Sequence, residues 1–119
     1  MTPFLLDIEV PRNGSDDRLL YIYDIDDNGV QSPRDLTNHT ASAIARDVFG
    51  GAVIATAVCS IPEPTLGRIS MKWLGSQFDN YGDTMALVIA AYDLKLIDEA
   101  SLPTVPVRGT LYITPESTA

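Results

Sequence analysis

The run Leu19-Leu20-Tyr21-Ile22-Tyr23-Asp24-Ile25-Asp26-Asp27-Asn28-Gly29-Val30-Gln31-Ser32-Pro33-Arg34-Asp35-Leu36-Thr37 passes from strand grammar to turn grammar. Its first part is rich in aromatic and β-branched residues, which fit a pleated, half-buried surface. Asn28-Gly29 then signals a hairpin turn, because both residues accept positive φ at low cost. The spacing predicts a strand over 18–24 and a loop over 24–35. A third strand, 41–48, follows the bridge 36–40.

The same grammar extends outward in both directions. Toward the N-terminus, Leu6, Ile8 and Val10 alternate with Asp7 and Glu9, which predicts a half-buried strand over 4–10. Pro11 ends it, and Asn13-Gly14-Ser15-Asp16-Asp17 reads as a turn cluster. Toward the C-terminus, Gly50-Gly51 predicts a tight hairpin into a strand over 52–59. Residues 66–73 place Ile69, Met71 and Trp73 on one face. Residues 75–83 are polar and irregular, with room for one helical turn. In 85–97, Tyr92, Leu94 and Leu96 alternate with Asp93 and Lys95. A turn over 98–101 leads to 105–114, where Val107, Gly109, Leu111 and Ile113 share a face. No 3.6-residue period is sustained. Seven or eight short strands separated by turn signals predict an all-β, antiparallel sandwich in one domain over 1–119, with its core in 4–114 and a polar tail, 115–119.

Composition narrows the function. The 119 residues carry eight Lys and Arg against sixteen Asp and Glu, for a net charge of −8. Binding to nucleic-acid phosphates needs clustered cations. The basic residues here are scattered singly, so neither a nucleic acid nor a membrane is an expected partner. No apolar run approaches the roughly 20 residues of a membrane span, and no basic secretory leader is read at the N-terminus. The single cysteine, Cys59, lies in an apolar run and reads as a buried thiol. The single histidine, His39, has no nucleophile motif beside it and reads as a surface or capping residue.

One motif carries sharper chemistry. Asp24, Asp26 and Asn28 fill positions 1, 3 and 5 of a calcium loop, Gly29 fills position 6 and Asp35 position 12. Calcium seeks such clustered oxygens. Against it, position 12 holds Asp rather than the longer bidentate Glu, Gln31 stands where an apolar residue is usual, and the flanks read as strands. An acidic hairpin turn is the preferred reading, and no cofactor is expected.

Four pieces stand in a familiar order. They are Asp26-Asp27-Asn28-Gly29 with Asp35-Leu36-Thr37; Ile44-Ala45-Arg46-Asp47 with Gly50-Gly51; Gly67-Arg68-Ile69-Ser70-Met71; and Tyr92-Asp93-Leu94-Lys95-Leu96 with Arg108-Gly109-Thr110-Leu111-Tyr112-Ile113. Together they resemble the immunoglobulin-like β-sandwich modules of tailed-bacteriophage structural proteins, such as the N-terminal domains of baseplate upper proteins and tail fibres. The resemblance implies an immunoglobulin-like fold and a non-enzymatic place in the virion, first as a tail, baseplate or tail-fibre attachment protein. A capsid cement or decoration protein bound to the major capsid protein is the alternative. A free module for carbohydrate or host protein is a third. The implied partners are other phage structural proteins and further copies of the chain. Phe4, Tyr21, Tyr23, Tyr112 and Pro115 are the interface candidates, since tyrosine and its like anchor interfaces with few torsions to freeze. The ends, 1–3 and 115–119, and the edge strands beside them, 4–10 and 105–114, are expected to face neighbouring subunits.

Overall fold

Every alternating run becomes a strand. The computed structural model describes residues 4–48, 51–82 and 85–115. Expectations that fall on 1–3, 50, 83 and 116–119 lie outside these residues. In chain order the strands are β1 (Phe4–Leu5), β2 (Ile8–Pro11), β3 (Ser15–Tyr21), β4 (Tyr23–Ile25), β5 (Gln31–Pro33), β6 (Thr40–Arg46), β7 (Val53–Thr56), β8 (Val58–Glu63), β9 (Arg68–Leu74), β10 (Val88–Ile97) and β11 (Pro103–Thr114). Single 3-10 turns occupy Pro64–Leu66 and Gly75–Phe78, the second inside the irregular stretch expected to hold one helical turn.

Two sheets make the sandwich. One has the order β1-β11-β10-β6-β7, with β2 also on β11; the other is β3-β9-β8. The inward residues of both enter one core. Ile8, Val10, Tyr92, Leu94, Leu96, Leu111 and Ile113 come from the first sheet, and Ile69, Met71 and Trp73 from the second. Fully burying a Val, Leu, Ile or Met side chain in this way contributes roughly 1.5–3 kcal/mol. Trp73 is fully buried and meets Tyr92 edge-on, with ring centroids 5.7 Å apart at 72°. Arg12 is buried too. Its guanidinium donates to the Phe78 and Tyr81 carbonyls, the latter at 2.6 Å, and so fastens the Gly75–Phe78 turn and the loop after it to the sandwich.

Four expectations are corrected. First, the 105–114 run is no edge, because β11 lies between β10 on one side and β1 and β2 on the other. The N-terminal segment pairs with it in parallel, Phe4 opposite Val107 and Ile8 opposite Leu111, so the sheet is not purely antiparallel. Between these pairs the strand is interrupted at Leu6 and Asp7, although the Leu6 N–H still donates to the Arg108 carbonyl of β11 at 2.9 Å. The Tyr92 hydroxyl donates to the Leu6 carbonyl at 2.5 Å, and the Asp7 carboxylate accepts from the Thr110 N–H at 3.0 Å. Gly109 makes room for this, since a Cβ there would lie 2.0 Å from the Leu6 oxygen.

Second, Asp16 and Asp17 are not in a turn. They lie in β3, where Asp16 pairs with Arg18 at 3.0 Å and Asp17 stands 4.0 Å from Lys72 on β9. Third, the 52–59 run divides at the buried Ala57. Its N–H donates to the Ala43 carbonyl at 2.9 Å, and the chain there leaves the first sheet for the second. Fourth, the 24–35 loop contains a strand, β5, so the hairpin closes locally as β4–β5 rather than spanning the whole stretch.

Candidate functional site: an aromatic groove beside a projecting hairpin

The β4–β5 hairpin forms because its turn is fixed by a side chain. Asp26 accepts at one carboxylate oxygen from the backbone N–H groups of Asn28 and Val30, each at 2.9 Å. Gly29 takes φ +79°, the left-handed value that glycine adopts without a Cβ penalty. Asn28 does not share it, so the connection is a five-residue loop between Ile25 and Gln31 rather than the two-residue turn expected from Asn28-Gly29. Across the hairpin, Arg34 donates to Asp24 through Nε and Nη2 at 2.9 and 2.8 Å. Asp35 accepts from the Thr37 N–H at 2.9 Å and its hydroxyl at 2.5 Å, and the hydroxyl bond leads in holding its carboxyl below the usual range.

The four calcium-loop positions therefore have local engagements. Asp24 holds Arg34, Asp26 and Asn28 close the turn, and Asp35 caps Thr37. Among the described residues no three acidic, histidine or cysteine side chains gather as a ligand set.

The strand entering the hairpin exposes one face throughout. Ile22 is buried and Leu20 half-buried. Leu19, Tyr21, Tyr23 and Ile25 point the other way and are 45, 48, 46 and 65 % exposed. Fifteen large hydrophobic side chains are exposed among the described residues, and these four stand out because they recur at every second position of one run, a candidate interaction surface. Tyr21 is held in place: the Arg68 guanidinium lies 5.3 Å from its ring centroid and is itself tied to Glu63 at 2.6 Å.

Beyond Tyr21 the surface falls into a groove of about 460 Å³. The run entering the hairpin lines it with Leu20, Tyr21, Ile22, Tyr23 and Ile25, and the N-terminal segment and β11 with Phe4, Leu6, Pro106 and Val107. Phe4 is 67 % exposed. Three of the five interface candidates, Phe4, Tyr21 and Tyr23, thus come together. Tyr112 and Pro115 do not: Tyr112 is half-buried on β11 opposite Ile89 and Glu9, and Pro115 is exposed past the end of that strand. Ile25 and Pro106 were not among the candidates. Ile25 fell in the stretch expected to be a loop, and Pro106 enters only through the tertiary fold.

The other reactive groups do not converge there. His39 and Cys59 line a separate hollow of about 420 Å³. Burial pushes the Cys59 thiol up, away from the thiolate that a nucleophile needs. His39 Nδ1 lies 3.1 Å from the Thr37 carbonyl, which places its proton on that nitrogen. Burial likewise raises the phenols of Tyr81 and Tyr92, whose hydroxyls donate to the carbonyls of Ile89 and Leu6. Among the described residues no helix is long and apolar enough to cross a membrane.

Neither a protein-family model nor a curated protein sequence matches the chain.

Proposed function

We propose that this chain is a non-enzymatic structural component of a tailed-phage virion, a tail, baseplate or tail-fibre attachment protein that docks through its aromatic groove. The observation that carries the docking reading is the exposed cluster of Phe4, Tyr21, Tyr23 and Ile25 around one groove, mounted on a packed sandwich. Rigid, amphipathic side chains on a fixed scaffold lose little entropy on binding. The order of sequence pieces that resembles phage modules supplies the setting.

A structural rather than catalytic role is supported by how the shifted titratable groups are placed. Asp35, Cys59, Tyr81 and Tyr92 occupy separate places, and local burial or hydrogen bonding accounts for each shift. An active site usually brings such groups into one cleft.

The test is incorporation into particles. Particles are assembled with the wild-type chain or with the doubly substituted Tyr23→Ser, Ile25→Ser chain, and the protein is quantified in purified particles by mass spectrometry. The wild type should co-purify, and the variant should fold yet be lost from particles. A wild-type chain absent from particles overturns the virion reading. A variant incorporated like the wild type overturns the groove as its docking face.

A further inference from the structure

We propose that the groove accepts an extended, basic segment of a partner protein, added as a strand against a free sheet edge, with alternate apolar side chains seated among Phe4, Tyr21, Tyr23 and Ile25. This deepens the docking reading of the groove and rests on it.

Two independent features lead here. The first is backbone. The groove runs between the edges of both sheets: among the described residues β1 ends the first sheet with β11 as its one partner, and β3 ends the second with β9 as its one partner. Phe4 of β1 and Leu20 and Tyr21 of β3 line it. An edge strand turns unpaired N–H and C=O groups outward and templates a further strand unless something blocks it. The opposite edge of the first sheet carries such a block: the Gln77 amide donates to the Thr56 carbonyl and accepts from the Thr56 N–H, both at 2.8 Å. That edge, β7, is stoppered by a side chain that copies a strand's pairing, while the edges at the groove meet an apolar hollow instead. A strand laid there would point every second side chain into the hollow.

The second feature is charge. The arm forming one wall bears Asp24, Asp26 and Asp27 within four positions, and Arg34 offsets only Asp24. The chain as a whole carries −8. A second copy in the groove would bring its own acidic arm and the same net charge, and like charges set side by side oppose association. A segment with Lys or Arg flanking its apolar positions is drawn in.

The experiment uses the intact protein and three synthetic peptides: Lys-Val-Lys-Val-Lys-Val-Lys, its Glu-Val counterpart and its Lys-Ser counterpart. Binding is followed by fluorescence anisotropy and mapped by amide chemical-shift changes. The Lys-Val peptide should bind, weaken with added salt, and shift amides at Phe4, Leu5, Tyr21, Tyr23 and Ile25. Its affinity should exceed that of either counterpart by about tenfold or more, and Ile25→Ser should lower it by a similar factor without changing the fold, as loss of an interface anchor does. Equal binding of the acidic peptide, no binding of the Lys-Val peptide, shifts confined to other surfaces, or a stable dimer that protects the groove would each overturn the proposal. The outcome is separable from that of the particle test. A protein present in particles by way of the groove but blind to basic strands defeats this inference alone. Strand binding by a protein absent from particles defeats the virion reading alone.

Discussion

Replacing Trp73 by alanine tests the core at its largest side chain. The indole is fully buried and lies edge-on to Tyr92 at 5.7 Å. A buried aromatic removes roughly 200 Å² from water, worth about 5 kcal/mol at about 25 cal/mol per Å². The edge-on pair adds about 1 kcal/mol. Working the other way, the indole N–H is buried with no acceptor among the described residues, and removing such an orphan returns roughly 1–3 kcal/mol. The net cost is about 4 kcal/mol, inside the range of about 3–5 kcal/mol found for such truncations. Against a total of about 5–15 kcal/mol, the variant should be barely folded. Trp73→Phe keeps most of the apolar area and discards the orphan N–H, so it should cost no more than about 1–2 kcal/mol. Urea unfolding followed by circular dichroism reads both, with the slope held common. An alanine variant within about 1 kcal/mol of wild type, or a phenylalanine variant as damaged as the alanine one, would refute this packing account.

Three further outcomes are expected. Gly109→Ala should destabilise by roughly 1–3 kcal/mol and lower the melting temperature, because its Cβ would fall 2.0 Å from the Leu6 oxygen that Tyr92 also binds; an unchanged melting curve would show that β1 does not sit as described. Burial raises the Tyr92 phenol above its ordinary value of 10.0, so above that pH the unfolded chain gives up a proton that the folded chain keeps. The Tyr92 contribution is therefore complete below pH 10.0 and declines as pH rises beyond it; alkaline unfolding should be less steep in Tyr92→Phe, and equal steepness would contradict the assignment. Calcium should leave the melting temperature unchanged, since Asp24, Asp26 and Asp35 are committed to Arg34, the turn amides and Thr37; tight binding by calorimetry, abolished in Asp24→Ala, would overturn that.

The sheets were legible where one face of a strand meets the core and the other meets water. Ile69, Met71 and Trp73, and likewise Tyr92, Leu94 and Leu96, alternate with polar neighbours, and a register slip would bury charge. Legibility failed where a distant strand supplies the reason. Asp16 and Asp17 look like turn residues in a local window, but Arg18 beside them and Lys72 on β9 make them tolerable in a strand. Ala57 carries no turn signal, yet it is where the chain changes sheets. Parallel pairing of the N-terminal strand with β11 depends on a contact more than a hundred positions away in sequence. The site was half legible. Tyr21 and Tyr23 could be named as interface candidates from residue type, but Leu19 to Tyr23 is apolar at both phases of the strand period, so the exposed face, like the facing wall of Phe4, Pro106 and Val107, is set only once the sheets form.

The most direct measurement is a cryo-electron microscopy reconstruction of the intact particle at side-chain resolution. The account predicts this chain at the tail, baseplate or fibre, with Phe4, Tyr21, Tyr23 and Ile25 covered by a neighbouring protein whose basic, extended segment lies along β1 or β3. A particle lacking the chain, or one in which it is docked by another face with the groove open to solvent, would contradict it.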